Sequence, residues 1–116
     1  METLDLKTFS EKVYDLSEGA EFKYRGLVPS VVLFYSSGEY MKKMREAFNS
    51  LEGLYAGKAH FYGIDVDASL DLATLTGIRA LPTMIIIPVQ GDPTILTGLV
   101  ETAEKLESIF LKMRLV

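Results

Sequence analysis

The sequence predicts an α/β fold, one mixed central β-sheet with helices on both faces. Helix and strand signals alternate from end to end. The run Val31-Val32-Leu33-Phe34-Tyr35 is continuously apolar and rich in strand formers, the pattern of a strand covered on both sides. The turn-rich stretch VQGDP separates two short β-forming segments and so marks a hairpin. Strands joined through helices imply a parallel portion of the sheet, and the hairpin adds an antiparallel edge.

Each element follows from local chemistry. Thr8-Phe9-Ser10-Glu11 has capping-box spacing, and Phe9, Val13 and Leu16 recur at helical intervals, so a first helix is expected from Thr8. Residues 17–29 (SEGAEFKYRGLVP) are polar, contain glycine and lack periodicity, which reads as a loop ending at Pro29. After the apolar strand, Met41, Met44, Phe48, Leu51 and Tyr55 step by three and four along a second helix, with Gly57 as its expected stop. Residues 59–66 form the next strand and residues 69–75 a short helix closed by Gly77. Residues 83–87 and 94–96 flank the hairpin turn. Thr102 then opens a last helix carrying Leu106, Ile109, Phe110 and Met113. The expected order is αβαβαββα.

Length and composition bound the function. The 116 residues suit one domain spanning 1–116, and 48% hydrophobic with 24% charged residues is the balance of a globular protein. A formal charge of -4 without a basic stripe removes the electrostatic basis for binding nucleic acid or an anionic membrane. The start, METLDLKTFSEK, lacks the basic-then-apolar pattern of a signal peptide, and a cytoplasmic location is expected. There is no cysteine. A disulfide framework, a thiolate nucleophile and a thiolate metal site are therefore all excluded.

The stretches VVLFYSS, YGIDVD, TGIRALPTMIII and TGL resemble, in order and over nearly the whole chain, those of the thioredoxin family. The resemblance implies the thioredoxin fold, a cis peptide bond at Leu81-Pro82 ahead of Thr83, and a glycine, here Gly98, before the terminal helix. Where the family reads Phe-Trp-Ala-x-Trp-Cys-Gly-Pro-Cys-Lys, this chain reads Phe34-Tyr35-Ser36-Ser37-Gly38-Glu39-Tyr40-Met41-Lys42-Lys43. Glu39 and Lys42 thus occupy the two cysteine positions. Neither a carboxylate nor an ammonium can attack a disulfide sulfur. The family's buried aspartate corresponds to Leu33, its lysine partner to Gly63, and the proline of the second helix to Ala47. Read locally, Ser36-Ser37-Gly38-Glu39 is a capping box, with the carboxylate complementing the helix N-terminus.

Other chemistry finds little support. Glu39 and Lys42 share a helix face and are either a general acid/base pair or, the reading preferred, a cap and a solvated ion pair. Asp65, Asp67 and Asp71 lack calcium-loop spacing and read as a solvated loop. His60 has no partner for metal or triad chemistry and reads as structural. No metal or cofactor is expected. In thioredoxins an extended peptide lies beside the cis proline, and the resemblance implies such a groove at Tyr40, Met41, Leu81, Pro82, Thr83, Gly98 and Leu99. The expected function is a non-catalytic, protein-binding or chaperone-like member that has lost redox activity. The alternatives are a subunit acting by self-association or by docking to a redox partner, and an enzyme using Glu39 and Lys42.

Overall fold

The computed structural model describes residues 1–13, 24, 26–36 and 38–112. Leu16, Ser37, Met113 and most of the expected loop 17–29 lie outside the described residues.

Nine elements alternate: β1 (Glu2–Thr3), α1 (Leu6–Lys12), β2 (Ser30–Tyr35), α2 (Lys42–Leu54), β3 (His60–Asp65), α3 (Leu70–Thr76), β4 (Thr83–Ile87), β5 (Thr94–Thr97) and α4 (Ala103–Lys112). A 3-10 turn, Glu39–Met41, leads into α2. The sheet order is β1-β3-β2-β4-β5. β3 runs parallel to both β1 and β2, while β4 runs antiparallel to β2 and β5. The sheet is mixed, with four helices, and has the thioredoxin-like α/β architecture.

β1 was not legible in the sequence, because two residues carry no periodicity. It is recognisable only by its partner, since Glu2 and Thr3 pair with Tyr62 and Gly63, and Leu4 N–H extends the ladder to Gly63 O at 2.8 Å. The first helix also begins earlier than expected. Its cap is Asp5, whose carboxylate accepts the Thr8 N–H at 2.9 Å while the Thr8 hydroxyl accepts the Asp5 N–H at 2.9 Å. Thr8 therefore closes a capping box from its third position and does not open one.

The strict period of two along β2 divides the interior. Val31, Leu33 and Tyr35 join Met44, Phe48, Leu51, Phe61, Met84, Leu106 and Phe110 beneath α2 and α4. Val32 and Phe34 join Leu4, Phe9, Val13, Tyr62, Ile64, Leu72 and Ile87 on the α1 and α3 face. Phe61 sits edge-on to both Phe48 and Phe110, with centroids at 5.0 and 5.7 Å, each such contact contributing about 1 kcal/mol beyond burial. Gly77, at φ +75°, closes α3 as a left-handed cap, and its N–H donates to Ala73 O and Thr74 O. At α4, Thr102 Oγ1 accepts the Lys105 N–H at 3.2 Å, so the hydroxyl caps the helix as expected. Among the described residues no helix is long and apolar enough to cross a membrane.

Candidate functional site

Residues 36–42 join the end of β2 to α2 beside the 81–83 and 97–99 segments. The expected capping box does not form. The 3-10 turn has Gly38 at its cap with no side-chain hydrogen bond, α2 begins only at Lys42, and Glu39 O accepts the Lys42 N–H within the tight turn. The local competitor is Met41. Its Sδ takes the Ser36 N–H at 3.3 Å and lies 3.8 Å from Ser36 Oγ, so the hydroxyl turns toward sulfur. The segment is further held by Arg45, whose Nη1 donates to Ser36 O at 2.8 Å and Gly38 O at 2.9 Å while its guanidinium lies 5.7 Å above the Tyr35 ring. Arg45 was missed in the sequence because its partners are backbone carbonyls, which leave no trace in residue identity.

Glu39 and Lys42 both project into solvent. No ion pair joins them among the described residues, so the expected surface pair is replaced by Lys43 Nζ at 3.9 Å from Glu101. Asp65 and Asp71 turn their carboxylates onto backbone, Asp65 Oδ1 accepting from Asp67 N–H at 3.0 Å and Asp71 Oδ1 from Leu72 N–H at 2.8 Å. His60 is exposed and stacks on Tyr62, with centroids at 5.5 Å. Among the described residues no cluster of three or more His, Asp or Glu is arranged to hold a metal ion.

The two positions that match the family's buried acid and its lysine partner are neighbours in the sheet, Leu33 opposite Gly63. Their surroundings have been refilled with apolar groups. Leu33 is fully buried, and a Cβ at Gly63 would lie 2.6 Å from Met1 Sδ and 3.0 Å from Tyr35 Cε1. Tyr62, beside Gly63 on β3, has its phenol pushed up to about 12, first by burial and then by the neighbouring Tyr24 and Glu2.

The expected groove residues divide. Tyr40 stands 68% exposed, and Leu81 and Leu99 are half-buried, resting their inner sides on the core. Gly98 is open, with φ +114° and no heavy atom within 4 Å of the place a Cβ would occupy. Its N–H donates to Pro82 O at 3.0 Å, which aligns the 81–83 and 97–99 segments side by side. The Leu81–Pro82 bond is cis. Met41 departs from expectation. It is 5% exposed and belongs to the α2 core, following the apolar stripe it shares with Met44 and Phe48 and not the groove, while Tyr40 faces outward. Pro82 and Thr83 are also buried, the Thr83 hydroxyl donating to Ala80 O at 2.6 Å. Of the expected groove residues, Tyr40 and Gly98 are thus exposed and Leu81 and Leu99 half-buried, while Met41, Pro82 and Thr83 are buried.

Comparison with known proteins follows the same outline. No protein-family model matches the chain. A thioredoxin of Borreliella burgdorferi is 30% identical over 100 residues, which cover 85% of this chain and 86% of that protein. Among solved structures, a crystal structure of chloroplastic thioredoxin z, reported as defining a novel type-specific target recognition, superposes with a TM-score of 0.74. It covers 98% of this chain and 94% of the other at 19% identity, a likeness of fold.

Proposed function

The chain belongs to the thioredoxin family, and from that premise we propose that it is a non-catalytic member that binds extended protein segments without covalent capture at the surface formed by Tyr40, Leu81, Gly98 and Leu99. A chain without cysteine has no thiolate to run disulfide exchange. The observation that carries the binding reading is the pairing of an exposed Tyr40 and two half-buried leucines with an open glycine. Such a surface offers apolar contact and lets a neighbouring backbone approach closely. Neither a metal nor an organic cofactor enters this reading.

The test is capture from native extract on immobilised protein, comparing the parent with Leu81→Asp and Tyr40→Asp. Circular dichroism first establishes that each variant is folded. A set of proteins retained by the parent and lost from both variants supports the reading. Equal retention by all three overturns it and favours self-association, which sedimentation over a range of concentrations then measures.

A further inference from the structure

A second surface lies along the sheet edge, and it touches the first only at Leu99. β5 is the terminal strand of the sheet. Gly98 N–H bonds to Pro82 O, and the register continues through Thr97 opposite Thr83 and Leu96 opposite Met84. In an antiparallel ladder the bonded pairs alternate, so Leu96 and Thr94 point their backbone groups inward. The N–H and C=O of Ile95 and Thr97 are left pointing away from the sheet, without a strand partner among the described residues, a template for another strand.

On the α4 side, between α4 and the 99–102 segment that follows β5, is an open groove of ≈ 550 Å³ lined by Leu99, Val100 and Ile109 together with Lys105 and Lys112. Leu96 faces the same side, resting on the α2 and α4 core with those three residues. The phase of α4 explains the groove. Leu106 and Phe110 point inward and Glu107 bonds Tyr55 at the end of α2, which leaves Lys105, Ile109 and Lys112 on the opposite flank. Neither lysine has an ion-pair partner among the described residues, and the groove's carboxylate, Glu101, faces Lys43 at 3.9 Å.

We infer that the β5 edge and the α4 groove together accept an extended acidic protein segment as a sixth strand. Its backbone pairs with Ile95 and Thr97, and its side chains on the α4 side follow the order acidic, x, apolar, x, acidic. The spacing comes from the helix: Lys105 and Lys112 are separated by seven residues, about 10 Å of rise. Same-side positions i and i+4 of a strand are about 13 Å apart and bracket one apolar residue at i+2, within reach of two flexible lysine stems. A second copy of this chain is the less suitable occupant. Two-fold pairing of β5 with itself would turn Lys105 and Lys112 toward the same lysines of the neighbour, which repel.

The experiment titrates the full chain with the end-blocked peptide Ser-Thr-Glu-Thr-Val-Thr-Glu-Thr-Ser, following backbone amide signals and their hydrogen exchange by NMR. The expected result is saturable binding with slowed exchange at Ile95 and Thr97. Binding should weaken about tenfold in Lys105→Glu/Lys112→Glu. It should vanish for a peptide N-methylated at alternate residues, a control that leaves the protein unaltered, and persist in Leu81→Asp. The inference is overturned if the N-methylated or charge-reversed combinations bind as well as the parent pair, or if Ile95 and Thr97 stay unprotected. It is equally overturned if binding is lost in Leu81→Asp alone, which places the peptide at the other surface, or if sedimentation shows a dimer without peptide whose Ile95 and Thr97 amides are already slow to exchange.

Discussion

Replacing Leu33 by Asp puts a carboxyl at the position where the family carries one and tests whether the site has been rebuilt as hydrophobic core. Leu33 is fully buried between β3 and β4, opposite Gly63 and Met84. Loss of its apolar burial costs about 2 kcal/mol. In this setting, with an apolar refill where the lysine partner would stand, burial should raise the carboxyl by about three pKa units. At about 1.4 kcal/mol per unit this adds about 4 kcal/mol once the group ionises. The folded-state pKa then lies above the unfolded one. The ionisation penalty is therefore absent below the unfolded value, near pH 4, and complete above the folded value, near pH 7. Urea denaturation of the parent, Leu33→Asp and Leu33→Asn near both pH values measures this. Leu33→Asp should trail the parent by about 2 kcal/mol at the acidic end and about 6 kcal/mol at neutrality, a large share of a typical domain's total. Leu33→Asn should show a deficit that does not move with pH. A Leu33→Asp deficit equal at both pH values would show that the introduced carboxyl reaches water or a cation, and the account of the refilled site would be wrong.

Insulin reduction with dithiothreitol should proceed at the background rate with the parent protein, and Glu39→Cys/Lys42→Cys should recover only weak turnover because Leu33 and Gly63 still lack acid/base support; strong turnover in the double variant contradicts this. Spectrophotometric titration should find one tyrosine ionising near pH 12, absent in Tyr62→Phe. With its folded pKa raised above the ordinary value of 10.0, Tyr62 contributes stability that is complete below that value and is lost as pH rises toward about 12. Gly77→Ala should cost about 1–2 kcal/mol in urea melts, purely from the left-handed backbone at φ +75°, since nothing lies within 4 Å of the added methyl. Gly53→Ala, equally unobstructed but inside α2, should instead stabilise by about 0.5–1 kcal/mol. A same-signed pair of shifts would refute the conformational argument.

Much of the fold was legible because its signals are redundant. The five-residue apolar run, the Met44-Phe48-Leu51 stripe, the Gly77 stop and the VQGDP turn each lie within or beside the expected element, although α2 ends at Leu54, short of Tyr55 and of the stop expected at Gly57. What escaped depended on distant partners. β1 exists through its ladder to Tyr62 and Gly63, and the start of α1 turns on Asp5 accepting a bond that Thr8 equally advertises. At the site, residue identity located the segment but not the direction of its side chains. A 3-10 turn stands in place of the first α-turn, yet Met41 went inward as the Met41-Met44-Phe48 stripe implies, against the groove position beside Tyr40 that the resemblance gave it. The sulfur's claim on the Ser36 N–H is a tertiary choice with no local signature.

The clamp that Arg45 places on the carbonyls of Ser36 and Gly38 bears on how such a segment changes over evolutionary time. The anchor acts on main chain and originates one turn into α2, so the course of the segment does not depend on which side chains stand at 39, 40 and 42. All three point outward. Substitutions there alter what the surface offers to the outside and leave the Arg45 bonds to main chain in place. Mutational drift is thereby channelled into the outward positions, and a lineage that no longer needs its original chemistry retains a rigid platform on which new contacts can accumulate one residue at a time.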